Sequence, residues 1–190
     1  MAPKIKVTKE EIIKTALSIT QKNGASALNA RTVAGELGCS TQPIFSNFAN
    51  MEELNTVVIS AAYESYLGFI NNEVESGKYP QYKAFGMAYI RFAKEERELF
   101  KLLFMRDRTG EDLTPSPDFE ASASIISSAF GVTVELAMLI HLEIWSSVHG
   151  IAVMIASSFL TLEWDLISEM LSDIYHGIRA RYTGKLEAKK

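Results

Sequence analysis

The segment LNARTVAGELGCSTQPIFSNFANMEEL, residues 28–54, decides the reading of this chain. Asn29 is a good N-cap, and the residues after it place Val33, Ala34 and Leu37 on one face and Arg31, Thr32 and Glu36 on the other. Gly38 stops this first short helix, because glycine takes positive φ at no steric cost and re-aims the chain across a three-residue corner. Ser40 is positioned to cap a second short helix with Pro43 in its first turn, where a missing amide hydrogen costs little. Ile44, Phe45 and Phe48 supply apolar anchors, and Thr41, Gln42, Ser46 and Asn47 offer hydrogen-bonding groups outward, suited to base edges and phosphates. This is the layout of a helix-turn-helix.

The segment preceding it fits the same unit. Between Thr8 and Gly24 the apolar spacing of Ile12, Ile13, Ala16, Leu17 and Thr20 predicts a helix closed by Asn23-Gly24. Together with Arg31, Val33-Ala34, Leu37-Gly38, Ser40, Ile44, Phe48 and Glu53-Leu54, this region resembles the TetR family of transcriptional regulators. The resemblance covers the first quarter to third of the chain, and glycine, cap and aromatic positions agree in order and spacing. It implies a DNA-binding surface of Lys6, Asn29, Arg31, Thr32, Ser40, Thr41, Gln42, Pro43, Phe45, Ser46 and Asn47. Three positions depart from the family pattern: Phe45 stands where most members have tyrosine, Asn47 where many have histidine, and Met51 where many have lysine. Each change removes a phosphate donor or cation, which lowers the salt slope of DNA binding by about 0.9 per contact given up.

Charge is distributed unevenly along the 190 residues, whose formal net charge is −4. Up to Leu54, six lysines and arginines face five glutamates, so the acidic excess lies beyond that point. Lys4 and Lys6 precede the first helix and read either as an arm toward phosphates or a minor groove, or as a solvated terminus. The first ten residues have no apolar core of a secretory signal, and the uncharged run Ile144–Leu162 carries serines, His149 and Gly150. A buried helix in a cytoplasmic protein, with no membrane partner, is the expectation. The single Cys39 rules out an intramolecular disulfide framework and reads as packing in the corner.

Beyond Leu54 the periodicity is helical throughout, so the fold class is all-α. The expected organisation is a helix-turn-helix domain over residues 1–52, a larger helical domain over 53–183 and a charged tail over 184–190. Expected helices run from Met51 to about Ser76, Pro80 to about Lys94, Glu95 to Met105, Asp118 to about Phe130, about Val132 to Leu160, and Glu163 to Tyr182. Arg106 to Pro117 reads as a mobile loop.

Ile167, Met170, Leu171, Ile174 and Ile178 form an i, i+3, i+4, i+7, i+11 stripe, and Ile140, Ile144, Val148, Ile151 and Ile155 form another on the preceding helix. The resemblance implies that these two helices make a homodimer, with Ile151, Ile155, Ile167, Met170, Leu171, Ile174 and Ile178 in the interface. Two copies then read half-sites of a palindromic operator about 34–36 Å apart, or a multiple of that. Facing the chain's own core is the other reading of the same stripes.

Trp145, His149 and Gly150 are similar to a Trp-His-Gly signature in one subset of the family's C-terminal domains. His149 reads either as a hydrogen-bonded core residue or as a ligand contact. Aromatic density in the middle of the chain points to a cavity for a small apolar or aromatic effector, bordered by Tyr66, Tyr89, Phe92, Phe104, Trp145 and His149. The implied function is repression released by that ligand. The alternative is a ligand-binding or structural DNA-binding dimer without sequence-specific control. No phosphate loop, His-Glu-x-x-His or Cys-x-x-Cys motif is present, and His141 lies eight residues from His149, too far for easy chelation. Neither an enzyme nor a cofactor is expected.

Overall fold

The computed structural model describes residues 7–107, 109 and 117–187. Among these residues the only regular structure is helical, in agreement with the all-α expectation. The helices are α1 (Lys9–Asn23), α2 (Ala30–Glu36), α3 (Gln42–Asn47), α4 (Met51–Glu75), α5 (Gln81–Glu95), α6 (Arg97–Phe104), α7 (Pro117–Phe130), α8 (Val134–Ala156) and α9 (Trp164–Glu187). A 3-10 turn, Ala25–Ala27, joins α1 to α2. Most of the segment expected to be a mobile loop, and Lys4 and Lys6, lie outside the described residues.

The chain divides into two compact units, Met1–Gly68 with Glu95–Asp107, and Phe69–Lys94 with Arg108–Lys190. Helix α4 contributes residues to both.

In the first unit, Thr8 closes a capping box with Glu11 at the start of α1, satisfying amides that the first helical turn leaves unpaired. Helix α1 ends at Gly24, whose φ of 81° and ψ of 167° suit glycine and almost no other residue. The core joins Ile12, Ala16, Ile19, Val33, Ala34, Ile44, Phe48, Leu54 and Val58. Ile13 and Leu17, expected inward, are partly buried against it, and Ile19 takes a fully inward place instead. Thr20 is buried without loss because its hydroxyl donates to the Ala16 carbonyl at 3.0 Å. Cys39 packs against the same core as a free thiol.

The second unit packs α7 on α8 and both on α9. Its core includes Met87, Ile90, Phe92, Ile126, Ile140, Ile144, Ile151 and Ile167. Glu73 is buried, and Arg91 Nε donates to its carboxylate at 3.0 Å, supplying the counter-charge that a buried carboxylate needs. The Arg91 guanidinium and Lys94 ammonium also lie over the Trp164 ring, at 4.5 and 4.8 Å from its centre.

Two helix C-termini differ by more than one residue from the sequence-based expectation. Helix α8 stops at Ala156 rather than Leu160, because Ser158 adopts a left-handed φ of 59° and the Phe159 and Leu160 amides turn back to the Met154 carbonyl. Helix α9 passes Tyr182 and continues to Glu187. Helix α8 is long and apolar enough to cross a membrane by length and composition, as the core helices of many globular proteins are.

Candidate functional site

The helix-turn-helix is built from α2, the corner at Gly38 and α3. Asn29 Oδ1 accepts from the Arg31 and Thr32 amides at 3.0 and 3.1 Å. The Thr32 hydroxyl completes the box at the Asn29 amide and donates to the Ala27 carbonyl at 2.8 Å. These two side chains are therefore committed to starting α2. Arg31 remains exposed, with no ion-pair partner among the described residues.

The start of α3 departs from expectation by one residue. Its N-cap is Thr41, without a side-chain cap bond, and Ser40 lies in the corner before it. Pro43 occupies the first turn as expected. Ile44 and Phe48 anchor the helix in the core, but Phe45, read as a third anchor, is 50% exposed. The physical reason is helical periodicity: Ile44 and Phe48 are four apart and share a face, and Phe45 is rotated about 100° from Ile44. Ser46 and Asn47 turn their donors back on the helix, Ser46 Oγ to the Gln42 carbonyl at 2.9 Å and Asn47 Nδ2 to the Pro43 carbonyl at 2.8 Å. Thr41 and Asn47 are half-buried, which leaves Gln42, Phe45 and Ser46 exposed along α3.

Lys9 lies over the Phe48 ring, 4.9 Å from its centre, with Glu53 at 4.0 Å. Met51, in the place of the family's lysine, packs partly buried against the core. Lys6 lies outside the described residues.

The six residues expected around an effector fall into groups by unit. In the first, Tyr66 meets Phe104 edge-on with ring centres 5.2 Å apart, and Phe100 and Tyr63 extend the group. In the second, the Tyr89 hydroxyl lies 2.8 Å from His149 Nδ1, and the Trp145 indole stacks on the His149 ring at 4.9 Å. Phe92 packs edge-on against Phe69. Burial pushes the His149 pKa down, so the ring is held neutral beside the tyrosine hydroxyl.

A matching pair, not anticipated, lies two turns earlier on α5 and α8. The Tyr82 hydroxyl is 2.7 Å from His141 Nδ1, and Phe119 meets the His141 ring edge-on at 4.4 Å. Tyr175 packs against both Tyr82 and Phe130. Burial pushes His141 down to about 4 and raises the Tyr82 phenol. The available signal was spacing: Tyr82 precedes Tyr89 by seven residues and His141 precedes His149 by eight, so two helices in register repeat one pairing. Among the described residues no three His, Cys, Asp or Glu side chains gather to hold a metal ion.

Of the residues expected in a dimer interface, Ile151, Ile155, Ile167 and Leu171 are buried within the chain, and Met170, Ile174 and Ile178 are half-buried. Ile140, Ile144 and Val148 are likewise buried. The apolar side chains left open on these helices are Val134, Leu139 and Leu142 of α8 and Leu166 of α9.

Residues 82–173 match a family model described as the tetracyclin repressor-like C-terminal domain. The match lies wholly outside the segment that carries the N-terminal resemblance, and bears that resemblance out from the other side of the chain. A solved structure described as a regulatory protein, SCO4313, shares 21% identity with a TM-score of 0.64, covering 87% of this chain and 93% of its own. A protein of unknown function from Rhodococcus sp. RHA1 shares 20% identity with a TM-score of 0.71, covering 93% of this chain and 98% of its own. At these identities the likeness is one of fold. No curated protein matches the chain.

Proposed function

We propose that this chain, a TetR-family protein by its C-terminal domain over residues 82–173, is a transcriptional regulator: a homodimer that binds a palindromic operator and leaves it when a small apolar or aromatic ligand binds. One observation carries the reading. The helix-turn-helix is capped at Asn29, anchored by Ile44 and Phe48, and turns Gln42 and Phe45 of α3 to solvent. A six-residue helix is not stable alone, so a core that holds it with polar and apolar groups outward supports a reading head.

The domain boundaries that go with this reading are residues 1–52 for the DNA-binding part, 53–183 for the ligand-binding and dimerisation part and 184–190 for the tail. Dimerisation uses the outward faces of α8 and α9, where Leu139, Leu142 and Leu166 join the half-buried Met170, Ile174 and Ile178. Buried positions such as Ile155 and Leu171 support that face from within. The effector contacts proposed within the second unit are Tyr89, Phe92, Trp145 and His149, and those proposed within the first are Tyr66 and Phe104. Helix α4 contributes residues to both compact units, which supports it as the coupling element. Coupling of about 1–3 kcal/mol between ligand and operator is typical, and it weakens each ligand's binding reciprocally. The protein acts in the cytoplasm and is not an enzyme.

The test is binding of the full-length protein to tiled DNA fragments from around its own gene at two salt concentrations, followed by footprinting. Protection of one palindromic site is expected. Uniform, fragment-independent binding that vanishes with salt would favour the alternative, a helical dimer without sequence-specific control, for which the loss of phosphate donors at Phe45, Asn47 and Met51 is the supporting feature.

A further inference from the structure

We infer that Phe45 reads the C5-methyl group of a thymine, making an A·T pair a specificity determinant in each half-site; this rests on the DNA-binding reading above. Phe45 is half-exposed on α3, and its ring makes no aromatic or cation contact among the described residues. Leaving a phenyl ring in water forgoes a large apolar burial, and the side of α3 that carries it is the side a helix-turn-helix presents to base edges. In the major groove only thymine offers a methyl group, so an apolar side chain there discriminates without a hydrogen bond.

The polar neighbours strengthen the assignment. The donors of Ser46 and Asn47 are engaged with the carbonyls of Gln42 and Pro43, which limits what they offer a base. Gln42 is exposed, and its side-chain amide has no partner among the described residues. It sits three residues before Phe45, on the same side of the helix. A glutamine amide pairs bidentately with adenine N6 and N7, so Gln42 and Phe45 together present an adenine reader beside a thymine-methyl reader. The ring that cannot bind a phosphate through a hydroxyl instead supplies sequence discrimination.

The experiment selects sites for the full-length protein from a randomised duplex library, then replaces each thymine of the enriched site by deoxyuridine, which removes only the methyl group. Burying one methyl is worth about 0.8 kcal/mol, so one position per half-site should weaken binding about four-fold, and both together about fifteen-fold. Phe45→Ala should abolish this deoxyuridine effect, and Phe45→Leu should keep part of it; an unchanged thermal melt checks that both variants fold. Deoxyuridine substitutions that are all neutral, or an effect that persists in Phe45→Ala, would overturn the inference while leaving the regulator reading intact. A selection that enriches no sequence would overturn both.

Discussion

Replacing Gly24 by alanine tests the backbone reasoning most directly. Gly24 has φ 81° and ψ 167°, a region that is essentially glycine-only, and alanine there costs about 1–3 kcal/mol. A Cβ at this position would also lie 2.9 Å from Glu98 Oε2. That carboxylate pairs with Lys101 at 2.6 Å on a partly exposed surface, so swinging it aside adds at most about 1 kcal/mol. The backbone is therefore the larger part. Gly38 provides the comparison: its φ is 62° and its Cβ would meet nothing, so Gly38→Ala should cost about 1–2 kcal/mol from the left-handed backbone alone. Neither tryptophan lies in the first unit, so tryptophan fluorescence is the wrong probe. Hydrogen exchange at the buried amides of Ile19 and Thr20, inside α1, reads the local free energy. The expected order of protection is wild type, then Gly38→Ala, then Gly24→Ala. Making Gly24→Ala in a Glu98→Ala background should recover only the minor, steric part. Full recovery would refute the backbone argument, and so would a Gly24→Ala protein as well protected as wild type.

Other expectations can be checked independently. Because burial holds folded His141 at about 4 against 6.5 when unfolded, its neutral form contributes stability that is complete above pH 6.5 and is lost as pH falls toward 4. Roughly 2 kcal/mol should disappear between pH 7 and pH 5 from this group, urea unfolding at the two pH values reads it, and His141→Gln should flatten the slope; His149 acts in the same direction. Met51→Lys should steepen the salt dependence of operator binding by about 0.9 per copy, measured by titration at several ionic strengths, while the lysine stem keeps most of the packing. An unchanged slope would show that no phosphate lies near this position. Leu142→Glu, on the open side of α8, should leave the helical circular dichroism of the folded chain unchanged but halve the mass seen by sedimentation and weaken operator binding. A dimer that survives this change has its interface elsewhere.

Local rules carried the sequence far. Periodicity, caps and glycines located every helix, because each signal sits in the residues it governs: Thr8 and Asn29 cap with their own side chains, and Gly24 and Gly38 adopt conformations that other residues resist. The order of those signals was enough for the family resemblance. What it left open depended on which face each helix presents to its neighbours. Phe45 reads as an anchor by composition and turns outward because Ile44 and Phe48 already occupy the buried face. The isoleucine stripe of α8 reads either as interface or as core, and only the packing of α7, α8 and α9 shows that these isoleucines are buried within the chain while Leu139 and Leu142 stay open. Tyr82 and His141, like Tyr89 and His149, are about sixty residues apart, and no local pattern says that a hydroxyl will meet a ring nitrogen across that distance. Helical spacing determines which residues share a face; tertiary packing decides what that face meets, because burial of one stripe is settled by the competing faces of every other helix.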